Sequence, residues 1–210
     1  MVVVLPKYGI AYFPMRKVAS TSVKDALRRI CDAPGDYQAT FGVPMSARQR
    51  RLAQGHFKFT IVRDPIARIL SCYGNRVVHH RDLSVTLLDR TAARLFGRSP
   101  EPGIDEFCRY LRSYRALNDK IRRHTRPQYV SLGEDLGFFD AVYTISELDT
   151  LASDLTTRTG RDIGFDRLQT AGPKFSAADL SPAARRSLLE FTRRDYDLLG
   201  DFFRPPESAG

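Results

Sequence analysis

Residues 9–22 read Gly9-Ile10-Ala11-Tyr12-Phe13-Pro14-Met15-Arg16-Lys17-Val18-Ala19-Ser20-Thr21-Ser22, and an amphipathic segment, Val23 to Cys31, follows. The apolar run Gly9 to Phe13 has the length and content of a short buried strand. Val23, Ala26, Leu27 and Ile30 then recur at i, i+3, i+4 and i+7, with Lys24, Asp25, Arg28 and Arg29 on the other face, which is helical spacing. Thr21 or Ser22 is expected to cap that helix. A strand that turns through small hydroxyl residues into a helix presents backbone N–H groups and a positive dipole end to an anion, and Lys17 adds a mobile point charge. The stretch lacks the two glycines and the Gly-Lys-Ser/Thr ending of an ordinary nucleotide triphosphate loop. A hydroxyl-rich cap beside a surface lysine is the competing reading.

Phe57-Lys58-Phe59-Thr60-Ile61-Val62 alternates and then runs apolar like a buried strand, and Arg63-Asp64-Pro65 stops it. Asp64 is expected to cap a new helix with Pro65 at its first position, where a missing N–H costs nothing. Ile66, Ile69, Leu70 and Tyr73 make its inward stripe. Arg63 therefore falls at the carboxyl end of a strand, where open α/β sheets bind ligands, and Ser71 about two turns into the next helix. The plain alternatives are an ion pair for Arg63 and a surface hydroxyl for Ser71.

These two strand-loop-helix units, the second starting about forty residues after the first, resemble the sulfotransferases that use 3′-phosphoadenosine 5′-phosphosulfate (PAPS), particularly their carbohydrate-modifying branch. Lys17 to Ser22 is similar to the family's 5′-phosphosulfate loop, and Ile61 to Tyr73 to its 3′-phosphate segment. One departure is that the proline here is Pro14, where many members carry one directly before the lysine. Weaker resemblance continues through His124-Thr125-Arg126-Pro127-Gln128, Phe139 to Glu147 and the closing segment Leu180 to Leu199.

The resemblance implies roles. Lys17 would serve the leaving phosphate. The amides of Ala19, Ser20, Thr21 and Ser22, with the three hydroxyls, would hold the 5′-phosphate, while Arg63 and Ser71 would hold the 3′-phosphate. Lys174, in Ala171-Gly172-Pro173-Lys174-Phe175-Ser176, stands where the family has a basic cofactor-covering stretch; an ordinary loop lysine is the alternative. The reaction is mostly positioning and charge stabilisation, the product adenosine 3′,5′-bisphosphate, and no metal is expected. The acceptor is a hydroxyl, on a carbohydrate or other small metabolite. His56, directly before the second strand, is the candidate base because imidazole titrates near neutrality, with Asp36 and His124 as rivals.

The 210 residues, 42% hydrophobic, suit one domain over 1–206 with a frayed tail at 207–210. The net charge of +9 suits an anionic cofactor, but equally nucleic acid or an acidic membrane surface. Three cysteines, Cys31, Cys72 and Cys108, at apolar helix positions argue for buried thiols over a disulfide framework. Met1 to Lys7 has no basic leader and too short an apolar run for a signal peptide or membrane span, so cytoplasm is the expected location, unlike family members with an N-terminal anchor.

Residues 32–54, with Pro34-Gly35-Asp36, Gly42, Pro44 and the basic run Arg48-Gln49-Arg50-Arg51, read as a loop followed by a helix and as a candidate acceptor lid. Phe138 to Ile145 is the best later strand, with a helix carrying Leu148, Leu151 and Leu155 after it. The alternation predicts an α/β fold with a central, mainly parallel sheet of about four or five strands flanked by helices. Two further classes stay open: a small-metabolite kinase, which needs Mg²⁺ and a carboxylate such as Asp64 or Asp140, and a non-catalytic basic module for nucleic acid or acidic glycans, which would need an aromatic-basic pattern that is missing here.

Overall fold

The computed structural model describes residues 1–84, 86–166 and 172–206, without the side chains of residues 87–89. The tail 207–210 and Ala171 lie outside the described residues. In chain order the elements are β1 (Val2–Leu5), β2 (Ile10–Phe13), α1 (Ser20–Arg29), β3 (Gln38–Thr40), α2 (Ala47–Leu52), β4 (Phe57–Val62), α3 (Pro65–Cys72), α4 (Leu87–Leu95), α5 (Ile104–Arg109), α6 (Leu111–Leu117), α7 (Asp119–His124), α8 (Gln128–Leu132), β5 (Ala141–Thr144), α9 (Leu148–Thr159) and α10 (Pro182–Leu198). A π-helical stretch, Tyr73–His79, continues α3. The chain divides into two compact units, one of residues 1–63 and 128–170, the other of residues 64–127 and 171–210.

The first unit carries a five-stranded sheet in the order β3-β1-β2-β4-β5. β2, β4 and β5 are parallel, and β1 is antiparallel to both β2 and β3. Four strands therefore point one way and only β1 runs against them, which agrees with the expected mainly parallel sheet. Every residue of β1 and β2 is buried, as happens when both faces of a sheet are covered. Val23, Ala26 and Leu27 of α1 and Leu151 and Leu155 of α9 are buried with them. Tyr12 stacks on Phe59 at 4.8 Å between ring centroids, joining β2 to β4 across their parallel register.

The sequence reading of residues 32–54 as loop then helix needs correction, because β3 lies within it and forms the edge of the sheet. β1 was likewise invisible as a strand. Its four apolar residues are too few to show a period, and only pairing between β2 and β3 defines them.

The second unit is helical. Ile66, Ile69, Leu70 and Tyr73, the predicted stripe of α3, are buried with Phe107, Leu111, Tyr114, Ile121, Leu188 and Tyr196. Asp64 caps α3 as expected, its carboxylate accepting from the Ala67 amide at 2.7 Å with Pro65 at the first position. Cys72 and Cys108 are buried, Cys31 partly so, and no disulfide joins them; burial pushes the Cys108 thiol up to about 12.

Candidate active site

The loop after β2 contains two non-glycine residues in the left-handed region, Lys17 at φ 68° and Ala19 at φ 59°. Such residues cost of order 1–3 kcal/mol each and survive where their surroundings fix them; here Val18 between them is fully buried and anchors the loop. The helix cap expected at Thr21 or Ser22 is in fact Ala19, which has no side-chain acceptor to offer. The first intrahelical bond runs from the Val23 amide to the Ala19 carbonyl at 3.1 Å, so Ser20, Thr21 and Ser22 occupy the first turn, where amides have no partner within the helix. Left-handed Ala19 is followed directly by the first residue of α1, Ser20, at the positive end of the helix dipole.

The electrostatics point the same way. Burial, and then the charges of Arg16 and Arg28, hold the Lys24 ammonium below the usual lysine range. Arg16, before α1, and Arg28, in its last turn, both oppose the Lys24 charge.

β4 delivers Arg63 to the same loop. Because β2 and β4 are parallel, with Phe13 opposite Thr60, the ends of both strands emerge at one edge of the sheet. The buried Thr60 hydroxyl donates to the Phe13 carbonyl at 2.9 Å and fixes the place where the Lys17 loop leaves β2. One residue beyond β4, the Arg63 guanidinium Nη1 donates to the Lys17 carbonyl at 3.2 Å. The two sequence motifs thus meet. Gln128, fully buried, holds the Arg63 backbone from the other side.

Ser71 and Lys174 belong to the second unit. Ser71 is half-buried in the last turn of α3, and Lys174 is exposed. The segment carrying Lys174 is seated by two glycines. A Cβ on Gly74 would lie 2.2 Å from the Pro173 carbonyl oxygen, and one on Gly172 would lie 2.4 Å from the Gly74 oxygen. Phe175 packs on Tyr73, with centroids 5.1 Å apart. Gly74 sits in the π-helical stretch, a geometry frequent at functional sites. Sequence reasoning passed over Arg68 as well. This 2% exposed arginine donates to the carbonyls of His124 at 3.2 Å and Arg126 at 2.6 Å, and faces Asp195 at 4.0 Å. It lies off the inward stripe of α3, so the helical period gave no signal of its burial.

The structure places His56 at the other end of β4 from the loop. His56 precedes the first residue of β4 and Arg63 follows the last. At about 3.3 Å per residue the strand holds them roughly 20 Å apart, with the loop at the Arg63 end. The His56 ring instead bonds through Nδ1 to the Gln54 carbonyl at 2.9 Å. Asp36 lies before β3, which runs the same way as β4, and so is also at the amino edge; its carboxylate accepts from the amides of Asp32 and Ala33, each at 3.2 Å. His124 ends α7 in the second unit.

Among the described residues no group of three or more His, Cys, Asp or Glu is placed to hold a metal ion. The two carboxylates that would serve a kinase are engaged. Asp64 caps α3 and accepts from the Tyr196 hydroxyl at 2.8 Å, and Asp140 accepts from the Lys58 amide and ammonium, each at 2.7 Å. No helix among the described residues is long and apolar enough to cross a membrane.

A family model described as the sulfotransferase family matches residues 1–202. The chain belongs to the sulfotransferase family, and with it to the enzymes that transfer sulfuryl groups. No curated protein and no solved structure matches the chain.

Proposed function

We propose that the protein transfers the sulfuryl group of PAPS to a hydroxyl of a carbohydrate or other small metabolite. The observation that carries this reading is the contact of Arg63 with the Lys17 carbonyl, which puts a guanidinium, an ammonium-bearing loop and an uncapped helix start in one place. That donor set fits a ligand with two phosphate groups. PAPS supplies an activated sulfuryl group, and its transfer leaves adenosine 3′,5′-bisphosphate.

In this reading the amides of Ser20, Thr21 and Ser22 bind the 5′-phosphate, where the α1 dipole favours negative charge. Lys17 neutralises the charge that grows on that phosphate as the sulfur–oxygen bond breaks. Arg63 holds the 3′-phosphate, since a planar guanidinium binds two oxygens at once. The sulfuryl sulfur exchanges its bond to phosphate oxygen for one to the acceptor oxygen, and the acceptor hydroxyl loses its proton.

The test is thermal denaturation with adenosine 3′,5′-bisphosphate and with ATP, each with and without Mg²⁺. Stabilisation by the bisphosphate, independent of Mg²⁺ and larger than that given by ATP, is the expected result. Stabilisation by ATP only with Mg²⁺ favours the kinase reading. Stabilisation by neither ligand, with binding to oligonucleotides or acidic glycans, favours the basic module.

A further inference from the structure

Pairing of β4 with β5 ends at Val62 opposite Thr144, so the peptide groups of Arg63 lie one residue beyond the sheet ladder. They are nevertheless fully used. The Gln128 carboxamide donates through Nε2 to the Arg63 carbonyl at 2.8 Å and accepts through Oε1 from the Arg63 amide at 3.3 Å. One side chain reproduces the pair of bonds that a neighbouring strand gives, and it does so from a site with 0% exposure at the start of α8. Among apolar, ionised acidic and amide side chains of this length, only an amide both donates and accepts.

The residue so held is the one whose guanidinium reaches the Lys17 carbonyl. Resting on the reading of Arg63 as the 3′-phosphate ligand, we infer that Gln128 is a positioning residue that presents Arg63 to that phosphate. It acts through the Arg63 backbone and touches neither ligand nor reacting atoms. Leucine at 128 fills a similar volume but makes neither bond. Glutamate keeps the shape, yet as a carboxylate it sets an oxygen against the Arg63 carbonyl; once protonated it both donates and accepts, as glutamine does.

The experiment measures affinities for adenosine 3′,5′-bisphosphate and adenosine 5′-phosphate in wild type, Gln128→Leu, Arg63→Ala, the double variant and Gln128→Glu. Gln128→Leu is expected to weaken the bisphosphate about tenfold, within the range for losing hydrogen bonds around a charged contact, and the monophosphate by less than about twofold. In the Arg63→Ala background the same substitution should change neither affinity, because its only route is absent. Gln128→Glu should bind the bisphosphate weakly at neutral pH and recover on acidification relative to wild type.

Equal losses for both ligands, full additivity with Arg63→Ala, or a Gln128→Glu profile parallel to wild type would each overturn the inference. If Arg63→Ala itself weakens both ligands equally, the 3′-phosphate assignment falls and the inference falls with it. That outcome is separable, because it appears in the single variant. Should Gln128→Leu fail to fold, the near-isosteric Gln128→Glu profile decides alone.

Discussion

The Arg63 guanidinium and the Lys17 carbonyl, 3.2 Å apart, join two segments separated by 46 residues in the chain. The bond does two things at once. It ties down a loop whose backbone holds two left-handed residues, and it brings the charge at the end of β4 beside the start of α1. The two-phosphate site proposed above rests on that contact and not on the loop or the arginine alone.

Lys17 is assigned to the charge that grows on the leaving phosphate, so its removal should act on turnover. Lys17→Ala should lower kcat roughly 10²–10³-fold, the usual loss when one preorganised stabiliser is deleted. Affinity for adenosine 3′,5′-bisphosphate should change by less than about tenfold. Steady-state kinetics with PAPS beside a binding titration separates the two effects. Turnover that survives with binding alone weakened would refute the role.

Ala19 holds φ 59° at the helix cap, a region that costs an alanine more than a glycine. Ala19→Gly should therefore stabilise the protein by about 1 kcal/mol, and Ala19→Val should destabilise it by at least as much, since a β-branched side chain fits that region worse. The midpoint of urea unfolding, at unchanged slope, reads both. Opposite signs would mean that this loop is not left-handed in solution.

His56 stands at the amino end of β4, away from the Lys17 loop. His56→Ala should keep kcat within about threefold of wild type, far short of the 10²–10⁴-fold loss that removing a general base brings. The acid limb of the pH–rate profile should be unchanged. A large loss of turnover together with that limb, in a folded variant, restores His56 as the base and contradicts the strand geometry.

Gly74 meets backbone where a side chain would go, 2.2 Å from the Pro173 oxygen. Unlike a flexible side-chain tip, a carbonyl cannot turn aside cheaply. Gly74→Ala should cost about 1–3 kcal/mol, the range for overpacking, and binding of adenosine 3′,5′-bisphosphate by the variant shows whether the Lys174 segment matters to the ligand. Thermal denaturation of the variant with and without adenosine 3′,5′-bisphosphate tests both. An unchanged melting temperature would show that residues 172–175 do not pack on the π-helical stretch.

The sequence by itself determined the local parts of this protein. β4 runs from Phe57 to Val62 as its apolar pattern requires, Asp64 and Pro65 begin α3 as cap and first residue, and α1 buries Val23, Ala26 and Leu27 as its spacing demands. Each depends on residues within a turn or two of one another, where side-chain period and capping chemistry act directly. The strand-loop-helix course of the segment from Ile10 to Arg29 was legible for the same reason.

What only the tertiary structure decided is non-local. β1 and β3 exist as strands because they pair with each other and with β2. The parallel pairing of β2 with β4 put the loop after β2 at the Arg63 end of β4 and not at the His56 end. The cap of α1 fell on Ala19 because the buried Val18 and the bond from Arg63 fix the turn, overriding the preference of Thr21 or Ser22. Gln128 found Arg63 across 65 residues, and no period or motif in the chain encodes that meeting. It follows from sheet order and from the need of buried peptide groups for partners, which is settled only when the whole chain has packed.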